Sequence, residues 1–226
     1  MKKAFAIALL MILVVVSAFA AKGDIMVGAQ LGYACSFVRM KTSINIPELG
    51  KETDTTTLSN AGFGFAAVAQ YAVTDEVAAR VEFGLDVPGK KENWKDIHKY
   101  DGGSDSDSGS YDVDEPVRFS AFLGGLYAFE ISKEIKIAAG AGLDMAIGKT
   151  SKADDAKTNC SIGVGAEVIG SYSINKQLDV NIGARYSFYF IDTDENLKEV
   201  RKYYRDNGGS YTETALRIFA GATYKI

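Results

Sequence analysis

The sequence predicts an all-β fold, an eight-stranded antiparallel up-and-down barrel that crosses a membrane. Three observations lead there: eight segments alternate apolar and polar residues with period two, their connections alternate between short and long, and glycine gathers on one face of the alternation. Period two places successive side chains on opposite faces of an extended strand.

The eight segments are Ile25–Val38, Leu58–Tyr71, Val77–Val87, Val117–Phe129, Ile135–Ile147, Cys160–Tyr172, Leu178–Phe190 and Thr214–Ile226. Each is long enough to cross a bilayer as a tilted strand, which takes about 9–11 residues. "AVTDE", "EISKE" and "SINKQ" read as tight turns. Between them lie the long polar segments Arg39–Thr57, Pro88–Pro116, Gly148–Asn159 and Ile191–Glu213. An aromatic strand end, a polar turn and a fresh alternating strand recur at each tight turn. That marks a repeated hairpin and not a solenoid, whose period would be fixed.

Which face lies inside follows from the two residue sets. One carries Ile25, Leu31, Phe63, Phe65, Phe83, Leu123, Leu143, Val164, Ile182 and Ile218, with no charged residue. The other carries most strand glycines, among them Gly28, Gly84, Gly124, Gly142, Gly165 and Gly183. Glycine weakens a solvated strand and packs nothing, but it makes room in a narrow bore where side chains from eight strands meet. The glycine-rich polar face is therefore the lumen. Tyr71, Tyr127, Tyr172 and Tyr224 stand on the apolar face at one rim, the position of an interfacial aromatic girdle. The final strand is expected to close against the first, with Arg217 and Lys225 turned inward and no edge left in lipid.

Residues 1–20 read as a cleaved signal peptide: Lys2 and Lys3, an apolar run over Ala4–Val16, then Ala18-Phe19-Ala20. The run is too short for a membrane helix. Residues 21–226 then form one barrel domain. Losing Lys2 and Lys3 takes the net charge from −4 to −6, a poor balance for binding nucleic acid. Cys35 and Cys160 fall on non-adjacent strands and point outward, so they are expected to stay unpaired, since a disulfide needs Cα atoms within about 7 Å.

With its signal peptide, strand count, loop asymmetry and C-terminal "ATYKI", the mature chain resembles the small eight-stranded outer-membrane barrels, the OmpA-like and opacity-type surface proteins. The resemblance implies the outer membrane of a diderm bacterium, short periplasmic turns, extracellular loops and a monomer. It implies contacts with outer-membrane lipids and lipopolysaccharide, a host or envelope ligand at the loops, and recognition of the last strand by the barrel-assembly machinery. Ile226 stands where that family usually ends on an aromatic, with Tyr224 two residues earlier. Anchoring, adhesion or porin-like narrow-channel roles follow, and no single chemistry.

The lumen is expected to hold Arg80, Glu82, Asp86, Arg118, Lys136, Asp144, Glu167, Asp179, Arg185, Arg217 and Lys225. Both signs are present, so a structural ion-pair plug is expected, with a gated ion path as the rival. Neither cofactor nor metal is expected. Asp105 and Asp107 in "DGGSDSDSGSYDVDE" lack the third carboxylate and bidentate Glu of a calcium loop, so a flexible solvated loop is expected, with millimolar divalent-ion binding as the rival. The only histidine, His98, has Asp96 and Ser104 nearby without triad spacing, so a lipid-modifying enzyme is the weaker alternative. In the fourth loop, Asp192 with Glu195 and the helical spacing of Leu197, Val200 and Tyr204 predict a helix over Asp194–Asp206. Its Lys198, Arg201, Lys202 and Arg205 are candidates for contact with phosphates or an acidic partner.

Overall fold

The computed structural model describes residues 23–46, 50–149 and 158–226, so the signal segment over 1–20 lies outside the described residues. Ten antiparallel strands and one helix follow in the order β1 (Ile25–Ile46), β2 (Gly50–Ala72), β3 (Val77–Val87), β4 (Lys91–Tyr100), β5 (Gly103–Asp112), β6 (Arg118–Glu130), β7 (Ile135–Lys149), β8 (Thr158–Ser173), β9 (Leu178–Asp192), α1 (Glu195–Asp206) and β10 (Ser210–Lys225). Strands β1, β2, β3, β6, β7, β8, β9 and β10 close into a ring, with β1 pairing β2 on one side and β10 on the other. The Ile226 amide bonds the Ile25 carbonyl at 2.9 Å where the ring shuts.

The three tight turns share one device. A side chain at the second turn position, Thr74, Ser132 or Asn175, accepts hydrogen bonds from two backbone amides that follow: Glu76 and Val77, Glu134 and Ile135, Gln177 and Leu178. Short hydroxyl and amide side chains favour turns for this reason.

The exterior keeps the apolar face. Leu31, Phe63, Phe65, Leu123, Leu143, Val164, Ile182 and Ile218 are each about half exposed or more. Tyr127, Tyr172 and Tyr224 are exposed at the short-turn rim, where Tyr71 also lies. Among the described residues no helix is long and apolar enough to cross a membrane. Cys35 and Cys160 are free.

Two of the long polar segments depart from expectation. The Arg39–Thr57 stretch continues β1 and β2 beyond the barrel, pairing in unbroken register from Ile25↔Tyr71 to Ile46↔Gly50. Most of Pro88–Pro116, expected as a flexible loop, forms the β4–β5 hairpin, and β4 pairs with the extended part of β2. The result is a four-stranded wing above the long-loop rim. Extended backbone satisfies amides that a loop would leave to water, and the polar composition hid the pattern.

Helix α1 starts one residue later than expected. Its N-cap is Asp194, whose carboxylate accepts from the Asn196 amide. Asp192 does not cap it; its carboxylate instead takes bonds from Ser161 and Arg201.

Candidate functional site

Charged side chains from several strands converge in the bore, and the glycines explain how they fit. A Cβ at Gly124 would meet the Phe122 ring at 2.6 Å, and one at Gly183 would meet the Phe219 ring at 2.6 Å. The two rings lie in space those glycines leave. They floor the bore. Gly183→Ala is therefore expected to cost about 1–3 kcal/mol through overpacking, read as a lower midpoint in urea unfolding.

Arg185 is the hub of the charges above the rings. Its Nη1 and Nη2 donate to the two Glu82 carboxylate oxygens at 3.2 and 2.7 Å, and its Nε and Nη2 donate to Glu167 Oε2 at 3.2 and 2.8 Å. The guanidinium lies 3.7 Å from the Phe122 ring centre, a cation–π contact that gains strength where water is excluded. Arg80 bonds Glu82 at 3.2 Å and Gln30 at 2.9 Å, and its Nε faces Glu167 Oε1 at 3.4 Å without an aligned hydrogen bond. Arg217 binds Glu82 at 2.7 Å and also Asp86 and Ser120. Asp144 accepts from Ser187. Arg80, Glu82, Glu167 and Arg185 are each at most 2% exposed. Ions so deeply buried persist only when they are paired.

Not every lumen charge joins this cluster. Arg118 sits at the mouth and pairs with Glu115 at 2.6 Å. Lys136 pairs with Glu130 at 2.8 Å on the short-turn rim, and Lys225 pairs with Asp24 there. Asp179 is half-buried opposite Thr223.

The bore is therefore layered. At the long-loop end a vestibule of about 390 Å³ is lined by Glu92, Arg118, Lys149, Asp194, Tyr211 and Glu213, among others. Below it a space of about 70 Å³ reaches Asp86, Asp144, Ser187, Tyr189 and Arg217. The ion cluster and the Phe122 ring follow, and then an apolar layer of Leu126, Ile169 and Phe219 backed by Ala78 and Ala138. This apolar layer adds to the glycine-rich polar lumen the large side chains for which the glycines leave room. Phe122, Leu126, Ile169 and Phe219 are buried in the bore, and their place in the alternation was the signal for them.

Helix α1 covers part of the mouth. Of its four cations, Arg201 turns inward. It binds Asp192 at 2.7 Å, reaches Glu213 at 3.6 Å and lies 4.8 Å from the Tyr211 ring centre. Lys198, Lys202 and Arg205 remain exposed. In the wing, His98 bonds Asp54 across the β2–β4 pair, and this bond raises its pKa above the usual histidine value. Ser104 projects from the opposite face of the wing, because His98 stands opposite Asp105 and Ser104 opposite Lys99. Asp96 shares the face of His98 and Ser104 does not, so His98, Asp96 and Ser104 do not form a nucleophile–base–acid set. Tyr111 donates to Glu92 at 2.6 Å, which pushes its pKa up to about 12. Asp105 and Asp107 lie in β5 on fully exposed strand, and the described residues contain no acidic or histidine cluster suited to a metal.

Neither a family model nor a curated protein matches the sequence. Among solved structures, Neisserial surface protein A superposes with a TM-score of 0.55 at 16% identity, covering 91% of this chain and 100% of that one. The N-terminal β-barrel domain of Pseudomonas aeruginosa OprF gives 0.46 at 11% identity, again over 91% and 100%. A major outer membrane protein from Thermus thermophilus gives 0.44 at 14% identity over the same shares. The first likeness shows the fold, and the two looser ones add nothing to it. The chain has the fold of the small eight-stranded outer-membrane β-barrels.

Proposed function

We propose that this chain is a non-enzymatic outer-membrane protein, a closed barrel that anchors a surface wing and helix for envelope integrity or adhesion. Its short turns face the periplasm and its wing faces outward. The single observation that supports this reading is the bore: an ion cluster, the Phe122 ring and an apolar layer that includes Phe219 lie in series across it. A barrel of eight strands is about filled by its own side chains, and this one also uses its charges as internal partners. In planar-bilayer recordings the folded protein is expected to give no discrete conductance steps. Steps that disappear on Arg80→Gln or Glu167→Gln substitution would contradict a closed bore.

A narrow gated channel is the second reading. Gln30 Nε2 has no hydrogen-bond partner among the described residues, and the 70 Å³ space reaches down to Arg217. Such slack is what a second arrangement of the network would use. A lipid-modifying activity has less support, since no hydroxyl or thiol among the described residues bonds His98, and an unchanged lipid profile after His98→Ala would agree with its absence. Recognition of β10 by the barrel-assembly machinery and a ligand at the exposed loops belong to the same proposal.

A further inference from the structure

The overall charge of −4 conceals a sharp separation of sign in the wing. Pairing of β1 with β2, β2 with β4 and β4 with β5 runs without a bulge. Side-chain alternation therefore passes unbroken from the barrel wall into the wing. The face continuous with exterior Tyr33 and Phe63 carries Arg39, Lys41, Lys51, Lys91, Lys95 and Lys99, with Asp112 as its only acid. The face continuous with the lumen carries Glu52, Asp54, Glu92, Asp96, Asp105 and Asp107. All six outer cations are exposed, and none is in an ion pair with another described residue. Serine and threonine hydroxyls flank them, Ser104 to Ser110 on β5 and Thr53 to Thr57 on β2, while Asn93 and Ile97 stand between the lysines on β4.

We propose that this outer face docks the phosphorylated headgroup of an anionic glycolipid in the leaflet at the long-loop end. The inference rests on the reading of the barrel as membrane-spanning. Two observations choose the occupant. First, the basic face continues the lipid-facing wall: Arg39 follows Phe37 by two residues on the same side, and Asn93, two residues beyond Lys91, pairs with Ser59. A neighbour lying flush against the wall in the bilayer thus meets these cations with its headgroup. Second, the cations form a tall ladder. Lys91 and Lys99 are eight residues apart on one strand, about 26 Å along it and about 20 Å of height at the usual barrel tilt. A phospholipid headgroup layer is only about 5–8 Å thick, so it would reach the lowest rungs alone. A glycolipid with phosphates on both its lipid and its sugar core meets the whole ladder. The acidic inner face, turned toward the mouth, repels the same headgroup from the vestibule.

The test uses the full chain inserted in neutral phosphatidylcholine vesicles, with the folded barrel verified by heat-modifiable gel migration. The vesicles are titrated with a fluorescent lipopolysaccharide that retains its phosphorylated core. Each cation beside an anionic surface contributes about fivefold in binding. Arg39→Gln with Lys91→Gln, and Lys95→Gln with Lys99→Gln, are each expected to raise the midpoint at least tenfold. Asp54→Asn with Asp96→Asn should leave it unchanged. Against lipid A without core sugars, or phosphatidylglycerol, only the Arg39 and Lys91 pair should matter. Normal insertion with wild-type midpoints in both basic-face doubles would overturn the proposal, as would displacement of the glycolipid by soluble heparin at equal charge. Failure of the wild-type chain to insert at all would instead sink the membrane reading beneath it.

Discussion

Arg185→Leu is expected to lower barrel stability by about 3–5 kcal/mol, the cost of breaking a buried ion pair by removing one partner. Arg185 supplies four hydrogen bonds to Glu82 and Glu167. Without it Glu167 keeps only the unaligned contact with Arg80 at 3.4 Å. Glu82 retains Arg80 and Arg217, but each carboxylate loses the cation that makes two hydrogen bonds to it. Leucine fills part of the volume over Phe122 and pairs with nothing. Urea unfolding in detergent micelles, followed by the shift in gel migration, measures the loss. Arg118→Leu serves as the comparison. Its ion pair is about a third exposed, and such pairs contribute about 0–1 kcal/mol. If the leucine variant does not fold, Arg185→Lys still discriminates. It keeps the charge but loses the planar fork that engages two carboxylates, so its midpoint should fall between wild type and the comparison variant on one side and the unfolded leucine variant on the other. Equal costs at Arg185 and Arg118 would mean that the cluster does not hold the bore together.

Val164→Arg is the second large effect, about 2–4 kcal/mol if residue 164 lies near the bilayer midplane. Val164 is 48% exposed on the outer wall, opposite Leu143 and Phe188. Hydrocarbon offers an arginine there neither water nor a counter-ion. Ser120→Thr, one methyl larger in the lumen beside Arg217, is expected to cost much less. The same urea series in vesicles compares them. A reversed order would mean that inner and outer faces have been exchanged.

The strand ring was legible because its signal is hydropathy with period two. Val77–Val87 was bounded to the residue, and the other ring strands differ only in how far they extend. The wing was missed because its alternation is one of charge sign and not of hydropathy: Lys91-Glu92, Lys95-Asp96, then Lys99 beside His98. A search for polar faces of opposite sign would have found β4. Membership of the lumen could be read from parity, whereas partnership could not. Glu82 and Arg185 are 103 positions apart and sit on strands that are not neighbours in the sheet. Only the closed ring brings them together. Phe122 and Phe219 had the right parity, yet charges and glycines dominated that face. The role of Arg201 was likewise unreadable, because helical spacing gives a helix its faces without saying which one meets the barrel.

That apolar side chains of the outer wall touch hydrocarbon is tested most directly by tryptophan quenching in brominated lipids. Trp94, the only tryptophan of the chain, lies in the wing. In vesicles whose acyl chains carry bromine near the bilayer centre, the wild-type emission should be unquenched. In a Trp94→Phe background, Leu143→Trp places an indole on the outer wall, where Leu143 is 55% exposed, and its emission should be strongly quenched and blue-shifted. A red-shifted, unquenched indole at position 143 in folded protein would contradict the account.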